Sequence, residues 1–207
     1  MIELKDVIII GTGGHAKVIA DIVMLSGDNL LGFLTSDPGI MDFAGKPILG
    51  RDTDFHKFKD AHFIIAIGNA QTRERISRSM PGALWYTAIH PTAVVSRLHT
   101  EIREGTAVMA NAVINPYVTI GQHCIINSNA SVEHDNSISD FVHVSVGAKL
   151  AGAVHVGNRT WIGIGATVLQ GIDICADCMI GAGAVVIRNI DIPGTYVGVP
   201  AYRIKSE

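Results

Sequence analysis

A repeat of six residues runs through the second half of this chain and strongly limits what it can fold into. Every sixth residue from position 102 to position 192 is a branched aliphatic. The sixteen positions are Ile102, Val108, Ile114, Ile120, Ile126, Val132, Ile138, Val144, Leu150, Val156, Ile162, Val168, Ile174, Ile180, Val186 and Ile192. A period of six fits neither an amphipathic helix nor strands joined by hairpins. It is typical of a parallel β-helix, in which short strands are laid end to end and turned at fixed intervals.

The repeat predicts a triangular prism with the aliphatic residues inside. Three hexapeptides make one coil of about 18 residues, and the coils stack as parallel strands roughly 4.8 Å apart. Five coils would form a prism on the order of 24 Å tall. A β-sandwich with chance spacing is the alternative, but sandwiches do not hold one period through so many strands. The stack is expected to end at Pro193, because the segment 193–205 leaves the period and proline cannot continue a ladder.

Small residues two positions before many of the aliphatics are expected to let the chain turn the corners of the prism. Cys124 and Cys178 stand at such positions, and we interpret them as buried small residues. Cys175 and Cys178 also form a C-x-x-C pattern, for which a redox or zinc site is the alternative. Three cysteines are too few, and odd in number, for a disulfide framework. This cysteine usage is consistent with a reducing, cytoplasmic setting.

Composition excludes several classes of function. The net charge of −3 gives no electrostatic footprint for nucleic acid. There is no apolar run of 18 residues, so no transmembrane helix and no membrane insertion are expected. The first six residues lack the basic region with which a signal peptide begins.

The first part of the chain has the pattern of a small α/β unit with a parallel sheet. Residues 11–16, Gly-Thr-Gly-Gly-His-Ala, separate an apolar β-branched run from a segment with helical spacing. Strands are predicted over 7–10, 30–34, 63–69 and 83–88, and helices over 17–24 and 70–80. The glycine-rich turn would let backbone N–H groups and a helix N-terminus approach a phosphate.

We therefore divide the chain into an α/β domain over residues 1–85 and a β-helix domain over residues 86–207. The first resembles half of a dinucleotide-binding fold, because the second half is missing. Thr35 and Ser36 stand at the end of the second strand, where a clear acidic residue is absent. The glycine-rich turn is therefore interpreted as a site for a nucleotide diphosphate rather than for NAD. A purely structural tight turn is the alternative.

Among the nine histidines, His134 is distinguished by its neighbours, since it stands between Glu133 and Asp135 in an otherwise apolar repeat. A carboxylate beside an imidazole favours the protonated form and makes the imidazole a better proton acceptor. His134 is thus the candidate general base, with a solvated loop histidine as the alternative. His123, at a coil turn, is expected to be exposed.

The chain resembles a known family, the left-handed β-helix acetyltransferases that act on nucleotide-linked 4-amino-sugars. The resemblance rests on the hexapeptide stack closed by Gly-Val-Pro-Ala at 198–201, the glycine-rich turn at 11–18, the Glu-His-Asp at 133–135, and the segment 141–145. Bacillosamine and perosamine N-acetyltransferases belong to it, and sialic-acid O-acetyltransferases are a related branch. The left-handedness of the helix is implied by the resemblance alone.

The resemblance implies acetyl-CoA as the donor, a homotrimer, active sites between subunits, and no metal. It implies that His134 is the general base and that Asp135 raises its basicity. Residues implied to contact CoA are His143 beside the thioester, the Gly152 amide at the thioester oxygen, Ile164 and Ala182. Residues implied to bind the nucleotide-sugar are Gly13, Gly14, His15, Thr35, Ser36 and Gly68. Many members carry two acidic residues after the second strand, so the sequence Thr35-Ser36-Asp37 leaves the nucleobase open.

The spacing of His134 and His143 gives an inference of its own. Nine residues is half a coil, so the two histidines are expected on different sides of the prism within one chain. They can share a site only if neighbouring subunits bring different faces together, as in a cyclic trimer. The residues stacked below and above His134 are Pro116 and Gly152, both small, which predicts room for a substrate beside the imidazole.

The activity predicted is acetyl transfer from acetyl-CoA to the 4-amino group of a UDP-, dTDP- or GDP-linked 4-amino-4,6-dideoxy sugar, for surface glycan or glycoprotein biosynthesis. O-acetylation of sialic acid or another sugar is the alternative. Two further alternatives are an NAD-dependent sugar oxidoreductase and a carbonic-anhydrase-like metal protein on the same β-helix. The absent acid disfavours the oxidoreductase, and Asp135 has no role in the metal protein.

Overall fold

The computed structural model describes residues 4–37 and 39–204. It contains an α/β region followed by a parallel β-solenoid, the fold class that the sequence predicts. Residues 1–3 of the N-terminal segment and Lys205 of the non-repeating C-terminus lie outside the described residues.

The α/β region is built on one sheet whose strands follow the order β3-β4-β2-β1-β5-β6. The strands are β1 (Asp6–Ile10), β2 (Asn29–Leu34), β3 (Asp42–Phe43), β4 (Lys46–Gly50), β5 (His62–Ile65) and β6 (Leu84–Trp85). The helices are α1 (Gly14–Leu25), α2 (Ala70–Ser79) and a 3-10 helix (Asp52–Lys57). All neighbouring strands are parallel except β3 and β4. The strands β3 and β4 and the 3-10 helix were not predicted from the sequence.

The strand predicted over 83–88 is instead two strands that belong to different parts of the molecule. Leu84–Trp85 closes the α/β sheet beside β5, and Ala88–Ile89 already pairs with a solenoid strand. The chain therefore passes from the α/β sheet to the first coil within three residues, 86 to 88.

The solenoid has three faces, each a sheet of parallel strands. The first face contains β7 (Ala88–Ile89), β10 (Ala107–Val108), β13 (Ile125–Ile126), β16 (His143–Val144), β19 (Trp161–Ile162), β22 (Cys178–Ile180) and β24 (Gly194–Val197), with β25 (Tyr202–Ile204) antiparallel at its end. The second face contains β8 (Val94–Val95), β11 (Val113–Ile114), β14 (Ser131–Val132), β17 (Lys149–Leu150), β20 (Thr167–Val168) and β23 (Val185–Val186). The third face contains β9 (Glu101–Ile102), β12 (Thr119–Ile120), β15 (Ser137–Ile138), β18 (His155–Val156) and β21 (Asp173–Ile174).

The aliphatic repeat forms the core of the prism, as predicted, from Val108 to Val186. Stacked partners are one coil apart, for example Ile126 with Val144 in adjacent parallel strands. The prediction is wrong for Ile192, whose exposed fraction is 57%. Ile190 is buried in its place and bridges to Ile174, because the last coil shortens before Pro193.

The corners of the prism share one backbone conformation. A residue with φ between 53° and 73° follows the inward aliphatic by three positions. These residues are Gly105, Asn111, Tyr117, His123, Asn129, Asp135, Phe141, Gly147, Ala153, Arg159, Gly165, Gly171, Asp177 and Gly183. The left-handed region is ordinarily favourable for Gly, Asn and Asp and costly for other residues. The repeat therefore fixes the turn at every corner, and not only the core.

The corner cysteines are buried, as predicted. Burial raises the pKa of the Cys124 thiol to about 12, and its Sγ donates to the carbonyl oxygen of Ser139 at 3.0 Å. Burial also raises the pKa of Cys178 to about 12, and the Sγ atoms of Cys175 and Cys178 are 3.5 Å apart. All three cysteines are free thiols.

The first face of the solenoid packs against helix α1, and this contact positions the two halves of the chain. Ala16, Ile19 and Ala20 of α1 share one buried cluster with Ala107 and Ile125 of the first face. Because the cluster is continuous with the α/β core, the glycine-rich turn at the start of α1 is held beside the solenoid.

Candidate functional site

His134 and Asp135 form an exposed pair at the corner between the second and third faces. His134 Nδ1 lies 2.7 Å from Asp135 Oδ2, and the two side chains are 62% and 58% exposed. A carboxylate only accepts hydrogen bonds, so Nδ1 carries the proton and donates it to Asp135. This tautomer leaves Nε2 with a lone pair that can accept a proton from a substrate.

The buried side chain of Asn136 stabilises the backbone of this corner through hydrogen bonds. Asn136 Nδ2 donates to the carbonyl oxygens of Glu133 and, at 2.9 Å, of Ala151 in the next coil. The N–H of Ala153 donates to the carbonyl oxygen of His134 at 2.9 Å. Both coils therefore fix the corner, so the exposed imidazole projects from a rigid base.

Asp135 has a conformational role as well as a chemical one. It occupies the left-handed position of its corner, with φ at 61°. Aspartate and asparagine tolerate this region better than most other residues. Glu133, the other acidic neighbour, accepts instead from Asn115 Nδ2 at 2.6 Å. Asp135 is therefore the carboxylate that orients His134.

Gly152 lies directly against the imidazole of His134. A Cβ added at Gly152 would stand 2.6 Å from His134 Cε1 and 2.7 Å from Nε2, distances at which atoms overlap. The sequence predicted open room beside His134 because Gly152 is small. The prediction is wrong in this detail, because the imidazole itself fills that room.

His143 lies in a different setting, on the first face at the junction with the α/β region. It is 7% exposed and stacks on Trp161, with the ring centroids 4.6 Å apart. Asn127 Oδ1 accepts from the N–H of Ser128, so Asn127 Nδ2 is the atom that donates to His143 Nε2 at 3.0 Å. His143 Nδ1 therefore carries the proton, and it is buried with no partner among the described residues. Burial and the nearby Arg73 charge lower the pKa of His143 to about 3.

His15 begins the helix α1 and lies close enough to His143 for the two to interact electrostatically. Burial and Arg73 lower the pKa of His15 to about 4, and its buried Nε2 has no partner within the described part of the chain. Gly13 is the N-cap of α1, and Gly13 and Gly14 are exposed. A Cβ at either glycine would meet nothing within 4 Å, so the space beside both Cα atoms is open.

Thr35 and Ser36 line a pocket of about 250 Å³ at the edge where the parallel strands of the α/β sheet end. In open α/β sheets, ligands bind outside the carboxyl ends of the strands. The hydroxyls of Thr12 and Thr35 are 3.2 Å apart across this edge. Gly68 follows the pocket residue Ile67, and its carbonyl oxygen accepts from Arg73.

Ile164 and Ala182 lie at a third location, the corner between the first and second faces. Ile164 is 59% exposed, and Ala182 is also exposed. Val146 stands one coil before Ile164, and the N–H of Gly165 donates to its carbonyl oxygen at 2.9 Å. Together Val146, Ile164 and Ala182 form an exposed apolar column along this corner.

Within one chain, the expected site residues therefore lie in separate groups rather than in a single site. His134, Asp135 and Gly152 form one group, and His143 lies with His15 and the glycine-rich turn in another. The column with Ile164 and Ala182 lies at a different corner from His134. Within one chain the two histidines occupy different sides of the prism, as their half-coil spacing predicts.

Arg73 and His123 are two buried polar residues whose importance the sequence did not reveal. Arg73 is 1% exposed and donates to the carbonyl oxygens of Ile67, Gly68, His123 and Phe141. The prediction that His123 is exposed is wrong. It is buried between the rings of Trp85 and Phe141, with its Nε2 2.8 Å from Ser77 Oγ. Both residues tie α2 to the solenoid, and Arg73 also holds the loop that carries Gly68.

Two other kinds of site are absent from the described residues. No group of three or more His, Cys, Asp or Glu side chains in the described ranges could hold a metal ion. No helix in the described ranges combines the length and apolar character needed to cross a membrane.

Comparison with known proteins gives matches to both parts of the chain. Residues 6–80 match the PglD N-terminal domain, and residues 99–134 and 153–188 match the bacterial transferase hexapeptide repeats. Perosamine N-acetyltransferase from Caulobacter crescentus, solved as a histidine-to-asparagine mutant in complex with CoA and GDP-perosamine, is 34% identical. The alignment covers 99% of each chain, with a TM-score of 0.92.

Two further similarities point the same way. The acetyltransferase domain of PglB from Neisseria gonorrhoeae, in complex with acetyl coenzyme A, is 29% identical over 98% of this chain and 100% of that one, with a TM-score of 0.91. UDP-N-acetylbacillosamine N-acetyltransferase from Bacillus subtilis is 40% identical over 116 residues, which is 52% of each sequence. The chain thus spans about half the length of the curated relatives it matches.

Proposed function

Since this chain belongs to the hexapeptide-repeat N-acetyltransferase family with a PglD-type N-terminal domain, we propose that it acetylates a nucleotide-linked amino-sugar. The acceptor is the 4-amino group of a UDP-, dTDP- or GDP-linked 4-amino-4,6-dideoxy sugar, and the donor is acetyl-CoA. The observation that carries this proposal is the likeness, over 99% of both chains, to an enzyme solved with CoA and GDP-perosamine.

The chemistry proposed is direct transfer with His134 as the general base. The amine nitrogen attacks the thioester carbonyl and gives up a proton to His134 Nε2, the carbon–sulfur bond breaks, and the CoA sulfur leaves. Asp135 holds the imidazole in the required tautomer and stabilises the positive charge that forms. Cys124 and Cys178 are unsuited to a covalent intermediate, because burial raises the pKa of both thiols to about 12.

The nucleotide-sugar is proposed to bind to the α/β region. Its diphosphate would lie at the N-terminus of α1, where Gly13 and Gly14 have no side chain that would block the approach of a phosphate. His15 would lie beside it. The nucleoside would occupy the pocket lined by Thr35 and Ser36 and bounded by the loop that precedes Gly68.

CoA is proposed to bind along the solenoid. The amide of Gly152 would face the thioester oxygen, and the buried N–H of His143 would provide a second donor near it. Ile164 and Ala182 would cover the pantetheine arm with apolar surface. Because His134 and the Ile164 column lie at different corners, one CoA molecule can reach both only where two subunits meet.

A homotrimer is therefore part of the proposal, with each active site shared by adjacent subunits. We also assign the α/β nucleotide-sugar domain to residues 1–85 and the catalytic solenoid to residues 86–207. A cytoplasmic location follows from the proposed use of acetyl-CoA and accords with the three free thiols.

The test is CoA release with a panel of acceptors. The panel contains UDP-, dTDP- and GDP-linked 4-amino-sugars, their 4-hydroxy counterparts and sialic acid, with His134→Ala as the catalytic control. We expect release with at least one 4-amino-sugar and none with the matching hydroxyl compound. Release with hydroxyl acceptors alone would contradict N-acetylation and support the O-acetyltransferase alternative.

A further inference from the structure

The nucleotide pocket contains a carboxylate where the sequence indicated none. In dinucleotide-binding folds an acidic residue after the second strand accepts hydrogen bonds from the ribose hydroxyls. Here Thr35 and Ser36 follow the end of that strand, and the next acid, Asp37, does not line the pocket. Asp37 Oδ1 instead accepts from the backbone N–H of Gly39 at 2.9 Å, within its own turn.

The missing carboxylate comes from Asp52, the first residue of the 3-10 helix that follows strand β4. Strand β4 runs parallel to β2, and the N–H of Thr35 donates to the carbonyl oxygen of Gly50 at 3.0 Å. The two strands therefore end at the same edge of the sheet. Asp52 follows Gly50 by two residues and lies half-buried in the pocket wall, together with Thr35 and Ser36.

The local structure does not use the Asp52 carboxylate for itself. Asp54 stabilises the start of the 3-10 helix, since its Oδ2 accepts from the N–H of Arg51 at 2.9 Å. Asp54 also pairs with Lys57 at 2.6 Å. Among the described residues, Asp52 accepts only from the N–H of Thr53, through Oδ1 at 3.1 Å. Its Oδ2 is therefore available to a ligand.

The rest of the pocket has the chemistry of a nucleoside site. Arg75 of helix α2 and the backbone of Gly11, at the start of the glycine-rich turn, line the same pocket as Asp52. A ligand whose diphosphate lies at the N-terminus of α1 would extend its ribose along this edge of the sheet. The two hydroxyls of a ribose are donors that suit a carboxylate, which accepts hydrogen bonds but cannot donate them.

We propose that Asp52 binds the ribose hydroxyls of the nucleotide and selects a ribonucleotide over a 2′-deoxyribonucleotide. This inference rests on the proposed function and narrows it. UDP- and GDP-linked amino-sugars carry both hydroxyls, whereas a dTDP-linked sugar lacks the 2′-hydroxyl. The enzyme is therefore expected to prefer a UDP- or GDP-linked acceptor.

Binding of matched nucleotide pairs tests the inference without depending on the nucleobase or the sugar. Dissociation constants of UDP and dUDP, and of GDP and dGDP, are measured by calorimetry on the full-length wild-type protein. A hydrogen bond to a charged group contributes about 1.5–3 kcal/mol, so the better-bound base should show a ribose preference of roughly 10- to 100-fold. Asp52→Ala should reduce this preference to about 1, and Asp52→Asn should leave an intermediate value.

Two carboxylate variants serve as matched controls. Asp54→Asn removes the 3-10 helix contact, and Asp37→Asn removes the acid nearest to the second strand, but both should keep the ribose preference. Equal binding of ribose and deoxyribose forms by the wild-type protein, or an unchanged preference in folded Asp52→Ala, would overturn the role of Asp52. If that occurs while 4-amino-sugar acetylation is intact, only this inference fails. Absence of any nucleotide binding by the folded wild-type protein would overturn the proposed function as well.

Discussion

The corner that carries His134 and the face that carries His143 place the same side chain in opposite environments. His134 projects into solvent and donates to the carboxylate of Asp135. His143 is enclosed between Trp161, Asn127 and the start of helix α1, and burial lowers its pKa to about 3. Only the first imidazole is placed to take up a proton, and the second is held neutral with one N–H to donate.

The difference separates two tasks in acetyl transfer. A general base must accept a proton and release it, which requires access to solvent and stabilisation of the charged form. A donor that orients a carbonyl oxygen must keep one fixed proton, which burial of the neutral form supports. Since the two histidines lie on different sides of one prism, the two proposed tasks would meet only across an interface between subunits of the proposed trimer.

The largest effect is expected from removal of the exposed imidazole. His134→Ala should lower kcat by roughly 10²–10⁴-fold, the usual contribution of general base catalysis, while the KM for acetyl-CoA changes little. Activity should partly return as pH rises, because the free-amine fraction of the acceptor then grows. Steady-state kinetics check this, with His155→Ala on the third face as an exposed control. An unchanged kcat in folded His134→Ala would remove this residue from the mechanism.

A smaller effect is expected from a methyl group placed under the imidazole. Gly152→Ala would put a Cβ 2.6 Å from His134 Cε1, so the ring must move. Displacement of a catalytic group by about 1 Å can cost on the order of 10²-fold, and we expect a loss of kcat of roughly 10- to 100-fold. Gln170→Ala, one coil further along the same corner, is the control and should leave kcat unchanged. Equal activity of both variants would show that the ring position does not matter.

Asp135→Asn should be milder still. Asparagine fits the left-handed backbone of this corner, so the thermal unfolding temperature should stay within a few degrees of wild type. The charge that stabilises the protonated imidazole is lost, and kcat should fall roughly 10-fold. Asp135→Ala provides the comparison, because alanine is disfavoured at φ of 61° and should also lower the unfolding temperature. Full activity of Asp135→Asn would leave Asp135 with a conformational role alone.

The burial of His143 in its neutral form should also be detected through the stability of the protein. The pKa of His143 is lowered from 6.5 to about 3, so below pH 6.5 the unfolded chain binds a proton that the folded chain excludes. Stability is therefore fully present above pH 6.5 and is lost as pH falls, by up to about 1.4 kcal/mol per pH unit for one histidine. Denaturant unfolding between pH 7 and pH 5 should show a smaller acid slope for His143→Phe than for wild type. Identical slopes would show that His143 is not held neutral.

The extent to which the sequence predicted the structure differs between the two halves for a physical reason. In the solenoid each residue packs on the residue that is one coil, or about 18 positions, away in the sequence. A single repeat period therefore specifies the core, the corners and the sides of the prism on which His134 and His143 lie. Ile192 departs because the coil is shortened just before Pro193. The prediction that the stack ends at Pro193 is wrong, because β24 pairs in parallel with β22 and continues the first face beyond the proline. The α/β region has no repeat period from which the contacts between its elements could be predicted. Asp52 reaches the nucleotide pocket through the order of strands in the sheet, and the two strands β3 and β4 were not predicted.

The buried polar contacts between the halves were equally hidden. The helix of Arg73 has a polar sequence typical of a solvent-exposed surface. Its guanidinium is nevertheless buried on the carbonyl oxygens of His123 and Phe141, which are 50 and 68 residues away. His123 was expected to be exposed because it lies at a coil turn, and nothing in the sequence indicated that helix α2 covers it. No local pattern marks a contact whose partner belongs to another region of the fold.

The shared active site is tested most directly by complementation between inactive subunits. His134→Ala and His143→Ala chains are co-expressed with different affinity tags, and mixed trimers are purified through both tags. If each site takes His134 from one subunit and His143 from its neighbour, one of the three interfaces in every mixed trimer carries both wild-type residues, and about a third of wild-type activity should appear in the purified mixed trimers. Mixed trimers no more active than the two parent variants would contradict the account, because both histidines would then act within one chain.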